Sequence, residues 1–264
     1  MNRAVYIPLS GALMQEKRLE VLANNLANVN TNGFKEDRPV FETILTGNKE
    51  SSPTIPLPIS ASRNALTPSL YNLNRTLLAF SGMKTDFSPG ALKKTGNPLD
   101  LALEGDGFFS IRTPERVMYT RDGSFTLNAG GELVTHEGFT VLGENGKITI
   151  DAAESSDISV GQDGTILVNG NEVDKLKTVA FSRPYPLKKV GNSMFSLTVP
   201  KNEGEADVDV AVRQGYLELS NVNVVKEMVM MVEVNRAYES YQKVIQGIFD
   251  TVNRKTVNDL GRLT

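Results

Sequence analysis

The run Glu104-Gly-Asp-Gly-Phe-Phe109 comes nearest to a chemical motif in this 264-residue chain. Two glycines around an acidic residue suggest a phosphate cradle, which needs close backbone N–H groups and a helix N-terminus. The third glycine of such a loop is missing, and Phe108 to Arg112 continue in the pattern of a strand. No helix end would point at a phosphate, and a β-turn accounts for the glycines. Asp100, Glu104 and Asp106 lie close enough in sequence for paired carboxylates doing acid/base work. In a turn-rich stretch the same residues serve as solvated turn acids. Asp122-Gly-Ser and Asp163-Gly-Thr lack the spacing of oxygen ligands in a calcium loop. The single histidine, His136, falls in turn-like sequence before Glu137-Gly138, and no Gly-x-Ser-x-Gly elbow is present. A Ser/His/Asp triad would therefore have to come from the fold alone. The absence of cysteine removes disulfides, thiolate metal sites and cysteine nucleophiles together. No catalytic, cofactor-binding or metal site is expected, and the chain does not read as an enzyme.

Charge narrows the partners. With 28 Lys+Arg against 31 Asp+Glu, the net charge is −3, so no footprint for nucleic acid or an anionic membrane is present. Lys93-Lys94 and Lys188-Lys189 are too short for a nucleic-acid track. No apolar run approaches the ~18–20 residues that span a bilayer, so direct membrane insertion is not expected. The opening Met-Asn-Arg-Ala-Val-Tyr-Ile-Pro-Leu-Ser lacks a continuous apolar core and a small-residue cleavage site. The expectation is synthesis in the cytosol and, if the chain leaves, a route without a cleaved signal.

The elements that carry these residues follow from periodicity. Residues 4 to 28 read as a helix, with Val5, Leu9, Ala12, Glu16, Leu19, Ala23 and Leu26 recurring in steps of four and three. That is a heptad seam broken once, at Glu16. The helix closes in a strip of amides: Asn24, Asn25, Asn28, Asn30 and Asn32, then Gly33 and Phe34. Asn is a mediocre helix former but does well at helix ends and in left-handed turns, and Asn32-Gly33 is a strong local stop. From Lys35 to about Leu92 the pattern dissolves. Ser51 to Pro58 holds three prolines in its last six residues, which forbids a helix interior. Val40 to Leu45 and Thr76 to Phe80 read as short ordered pieces in an extended arm, or flexible linker, without a core of its own.

From Gly96 to about Gln214 the period becomes two, as in Leu99 to Leu103 and Ser124 to Leu127. Asp122-Gly123, Asn145-Gly146, Asp163-Gly164 and Asn169-Gly170 punctuate it; such pairs supply the positive φ angles of tight hairpins. About ten short strands in a compact antiparallel domain are expected. After Tyr216 the helical period returns, with Ser220, Asn221 or Asn223 as N-cap, and runs to about Lys255. Met230, Val234, Ala237 or Tyr238, Tyr241, Ile245, Ile248 and Val252 form one stripe. Val225, Met228, Val229 and Val232 lie nearly opposite, by the ~100° per residue of a helix. Two opposed apolar stripes imply two packing partners.

The expected fold is α+β: N- and C-terminal helices packed as a coiled coil, an extended arm and one central antiparallel β domain. The boundaries are 1–34 for the N-terminal helix and its Asn-rich motif, 35–92 for the arm, 93–215 for the β domain and 216–264 for the C-terminal helix. Val5, Leu9, Ala12, Leu19 and Leu26 would pack on the C-terminal helix. Met228, Val229 and Val232 would face copies of the same chain. Tyr238, Tyr241, Ile245 and Ile248, with the Asn221 and Asn223 helix start, would complete the subunit interface. Asn24, Asn25, Asn28 and Asn30 would join subunits through amides that donate and accept without a charge to desolvate. Gly33, turning the chain outward, and Phe34 would also belong to the subunit interface.

Asn25-Leu-Ala-Asn-Val-Asn-Thr-Asn-Gly-Phe34 resembles the N-terminal signature of bacterial flagellar rod and hook proteins. Thr95 to Phe109 and Tyr119-Thr-Arg-Asp-Gly-Ser-Phe125 resemble the entry to the central domain of the same axial family. Gly215 to Val225, with Glu227-Met228 and Arg236-Ala-Tyr238, resembles its C-terminal helix. Leu9 to Arg18, Asp86 to Lys93 and Leu176 to Phe195 are most similar to the proximal-rod protein, with the distal-rod protein as the alternative. The resemblance implies a structural subunit of the flagellar basal-body rod, assembling helically with itself and with other rod and hook proteins. It also implies export without a cleaved signal through the flagellar type III apparatus to the periplasmic rod. Two other classes remain open on the residues alone: a secreted module binding a ligand on its β domain, and a hydrolase using Asp100 and Asp106.

Overall fold

Asn169 and Gly170 both adopt positive φ, 51° and 81°. They form the two-residue loop of a hairpin in which Val168 pairs with Asn171, the primed turn that Asn-Gly favours. Turns of this kind cut the chain into short strands. The computed structural model describes residues 5–45, 76–150, 158–191, 193–198, 205–206 and 210–260. Among them are nineteen strands and two helices, α1 (Tyr6–Ala27) and α2 (Val224–Leu260). The fold is therefore mostly β, which corrects the α+β expectation. All but two of the strands lie between Leu92 and Glu218, more than the ten expected, because glycine turns divide the alternating runs more often than the alternation itself shows.

The chain divides into two units. The β unit, Asn25–Glu36 with Thr85–Val224, is built around an antiparallel sheet. The order along it is Leu187–Gly191, Met194–Leu197, Val117–Thr120, Gly107–Arg112, Thr140–Gly143, Leu133–Thr135 and Phe125–Leu127, with Thr178–Phe181 also paired to Gly107–Arg112. Gly107–Arg112 is the central strand. Its Phe109 and Ile111 enter a core with Leu103, Phe125, Val141 and Ile148. Phe108 points the other way, into a second core with Tyr119, Phe181 and Phe195. The alternation of side chains in a strand makes that division, and burial on both faces explains the unbroken apolar start of Phe-Phe-Ser-Ile. The chain enters and leaves side by side. Leu92–Lys94 pairs antiparallel with Tyr216–Glu218, and Leu101–Glu104 with Ala211–Gln214.

The helical unit comprises Met1–Asn24, Asp37–Lys84 and Val225–Thr264. Within it Asp37–Leu45 pairs with Thr76–Thr85, so the two ordered pieces expected in the arm are the two strands of one small sheet. The Phe41 and Phe80 rings meet edge to face at 6.0 Å, with the Arg18 guanidinium 5.1 Å from the first and the Lys17 ammonium 5.7 Å from the second. The proline-rich stretch Ser51 to Pro58 lies outside the described residues.

The expected coiled coil is not what the helices form. Of the seam residues Val5, Leu9, Ala12, Leu19 and Leu26, only Ala12 is buried, and Leu9 is exposed. Exposed Glu16 interrupts the stripe, so α1 lacks the unbroken run of knobs a supercoil needs. The helices meet instead at Gly11, where an added Cβ would come within 2.5 Å of the Tyr241 ring.

Candidate functional site

The amide strip ends in a joint built inside the β unit. After α1, Asn28 donates its backbone N–H to the Asn25 carbonyl, and the Thr31 hydroxyl donates to Asn28 Oδ1 at 3.1 Å. Gly33 then turns the chain at φ 63° and donates its N–H to the Glu218 carbonyl at 2.8 Å. A Cβ there would lie 2.3 Å from the Asp122 nitrogen. Both the left-handed backbone and the close approach require glycine. Phe34 is buried, with the Lys189 ammonium 3.5 Å from its ring centre, a cation–π contact. The same ammonium donates to the Lys35 carbonyl at 2.8 Å.

Lys35 is wholly buried, at 0% exposure. Its Nζ donates to Glu218 Oε1 at 2.5 Å and to the Ser88 carbonyl at 2.8 Å. Glu218 Oε1 also accepts from the Gly90 N–H, and its Oε2 from Arg121 Nη1 at 3.2 Å. Arg121, buried as well, donates through Nη2 to the Gly105 carbonyl at 2.6 Å and stacks over Phe108. Burial away from water holds the Lys35 ammonium below its usual pKa; the Glu218 carboxylate opposes that shift and the Arg121 charge adds to it. One carboxylate thus serves two buried cations. Asn221 completes the joint. Its Oδ1 accepts from the Glu36 N–H, while its Nδ2 donates to the Asp86 and Ser88 carbonyls and to the Ser88 hydroxyl oxygen.

The structure therefore uses Gly33, Phe34 and Asn221 within the chain. Asn25 is buried, Asn28 half-buried, and Asn24, Asn30 and Asn223 exposed. Along α2 the two stripes separate by burial. Met230, Val234, Tyr238, Tyr241, Ile245 and Ile248 are half-buried, whereas Val225, Met228, Val229 and Val232 are 50% exposed or more. Lys35, Arg121, Lys189 and Glu218 were invisible to sequence reasoning as site residues. Charged side chains in strand-and-turn sequence look like surface, and Glu218 sits beside buried Leu217, so alternation does not single it out.

The acids that could have done chemistry are not brought together. Asp100 accepts from Asn97 Nδ2 at 2.9 Å, Glu104 pairs with Arg213 at 2.7 Å, and Asp106 with Arg183 at 2.8 Å. His136 is exposed in its turn. Among the described residues no group of acids and histidine is placed to hold a metal ion, and no helix is long and apolar enough to cross a membrane.

Three family profiles match in chain order: "Flagella basal body rod protein" over residues 6–35, "Flagellar hook protein FlgE/F/G D1 domain" over 102–168 and "Flagellar basal body rod FlgEFG protein C-terminal" over 213–251. The first ends at Lys35 and the third contains Glu218, so the joint ties two of the matched regions together. The chain is 35% identical to the flagellar basal-body rod protein FlgG of Borreliella burgdorferi, over 93% of this chain and 94% of that one. It is 34% identical to FlgG of Buchnera aphidicola, over 93% and 95%. With the flagellar basal-body rod protein FlgF of Caulobacter vibrioides it shares 32% identity over the whole of both chains.

Proposed function

The chain belongs to the flagellar basal-body rod protein family and is a structural subunit of the rod, and from that premise we propose that its subunits join through the outer face of α2. Family membership implies assembly with other rod and hook proteins in the basal body; the surface that does it is the proposal. What carries it is the exposure of Met228, Val229 and Val232, 50%, 53% and 52%, opposite a stripe that is half-buried. Three neighbouring large apolar side chains on a charged helix mark an interaction surface rather than a solvated face. Leu9 on α1, also exposed, offers further apolar surface to a second copy.

The finer parts of the proposal follow. The rod segment is the proximal one, on the similarity of Leu9 to Arg18, Asp86 to Lys93 and Leu176 to Phe195 to that member. The subunit works without catalysis, is exported without a cleaved signal through the type III apparatus and is laid down in the periplasm. A chain without cysteine cannot be trapped by disulfides on entering an oxidising compartment.

The decisive experiment replaces Met228 and Val232 together by Asp in the producing bacterium. The double variant is expected to fold as a monomer with unchanged circular dichroism, to be missing from purified basal bodies and to leave cells non-motile. Normal incorporation and motility would overturn the α2 interface. Antibody labelling of isolated rods checks the segment: label at the cell-distal end would refute the proximal assignment.

A further inference from the structure

The segment that carries Lys35 is a guest in the unit that binds it. Residues 25–36 contribute no strand to any sheet of the β unit and no side chain to either of its two cores. Residues 33–36 are held by polar contacts and by an aromatic one. The Gly33 N–H reaches the Glu218 carbonyl, the Asn221 N–H the Phe34 carbonyl, the Asp86 N–H the Glu36 carbonyl and the Glu36 N–H the Asn221 side chain. Lys35 reaches Glu218 and Ser88, and Lys189 covers the Phe34 ring.

Most of these partners come from the other end of the chain. Lys35 and Glu218 are 183 residues apart, Glu36 and Asn221 185. The receptor for the segment is the exit strand Tyr216–Glu218, itself fixed by its ladder with Leu92–Lys94 and by the bond from the Leu219 N–H to the Ala91 carbonyl. That ladder contains nothing from residues 25–36. The exit strand can therefore be in place without the segment, but the segment has no seat without the exit strand. Closing so long a loop costs entropy that only contacts made afterwards offset.

We propose that residues 33–36 form a latch that seats last, on a β unit already closed by its exit strand, and that the latch opens and closes without unfolding that unit. Residues 33–36 are thus held largely by Glu218 and Asn221, 183 and 185 residues further along the chain than Lys35 and Glu36. A chain whose exit strand is missing or misplaced leaves residues 33–36 unseated, so the latch reports that the β unit is complete. Lys35 is the bolt. Removing it leaves Arg121 and Glu218 as a balanced pair, so its loss opens the latch and spares the receptor. The inference concerns this chain's own folding and stands apart from the rod-subunit role.

Hydrogen exchange on the full-length monomer tests it through individual amides. In Lys35→Met, the amides of Gly33, Glu36 and Asn221 are expected to exchange at least about 10-fold faster, while those of Ser110, Leu133 and Lys177, bonded inside the sheet and core, and of Leu219 stay within about 3-fold. Equal acceleration of both sets, or of neither, would overturn the latch. The wild-type chain supplies a second measurement that does not depend on the variant folding. In low guanidinium the latch amides are expected to exchange through an opening less sensitive to denaturant than that of Ser110 and Leu133. A single common opening for all of them would show that segment and β unit fold as one, and would equally refute the proposal.

Discussion

Lys35 Nζ lies 2.5 Å from Glu218 Oε1, with both side chains buried and 183 residues of chain between them. The pair is unbalanced, because the Arg121 guanidinium shares the same carboxylate from the other side. Half-buried Asp86 adds a further negative charge that favours the Lys35 ammonium.

The imbalance makes the three side chains unequal in a way urea denaturation can measure. Glu218→Gln leaves two cations buried without their carboxylate and is expected to cost about 3–5 kcal/mol. Lys35→Met leaves a matched pair and loses hydrogen bonds to Glu218 and Ser88, for about 1–2 kcal/mol. Combining them should recover part of the Glu218→Gln loss, since one of the stranded cations is gone. Equal costs for the two single changes, or simple additivity in the double variant, would contradict a shared carboxylate.

Gly33 answers to backbone rather than charge. An alanine there meets both the left-handed φ of 63° and the Asp122 nitrogen at 2.3 Å. Gly33→Ala is expected to destabilise the joint by about 2 kcal/mol or more, seen as a lower thermal midpoint and as proteolytic cleavage between Asn28 and Asp37. Gly138→Ala is the control: its φ of 86° is also positive, but nothing lies within 4 Å of an added Cβ, so it should cost only the backbone strain.

Asp122, on the loop against which Gly33 packs, gives a pH signature. Burial raises its carboxyl pKa above the ordinary 3.8, against hydrogen bonds from the Ser124 hydroxyl and N–H. The folded protein therefore holds that proton more tightly than the unfolded chain does. The resulting stabilisation is complete below the ordinary value and is lost as pH rises through the raised one. Asp122→Asn removes this titration while keeping an oxygen acceptor for Ser124. Its stability relative to wild type is expected to move in its favour between about pH 4 and about pH 7. A difference that stays flat across that range would remove the effect.

The outer face of α2 should be silent in the monomer. Val229→Asp is expected to change unfolding free energy by no more than about 0.5 kcal/mol, as a substitution at an exposed helical position, while incorporation into basal bodies falls. A large loss of monomer stability would mean that the face is packed within the chain.

Local order was legible in the sequence wherever neighbouring residues decide it. The change from a helical period to a period of two and back located α1, the strands and α2. Asn169-Gly170 announced a two-residue hairpin because only such residues take positive φ cheaply at both positions. The opposed stripes of α2 showed in spacing alone, since a helix turns by a fixed angle per residue. The motif from Asn25 to Phe34 and those near Phe109 and Tyr216 suggest the family from sequence alone.

Tertiary structure decided whatever joins residues far apart. Heptad spacing on α1 suggested a coiled coil, but spacing shows only that one face is apolar; exposed Glu16 and Leu9 break the seam that a supercoil needs. The abundance of strands over helices emerged because pairing, not alternation, settles where each short strand begins and ends. The amide strip reads as a joint between subunits; Gly33 and Phe34 at its end, with Asn221 from far along the chain, make contacts inside the chain. Nothing near Lys35 in sequence marks it as buried. The return of Glu218, with the Ser88 carbonyl beside it, makes burial of its charge tolerable, because a lysine leaves water when a distant carboxylate is waiting for it.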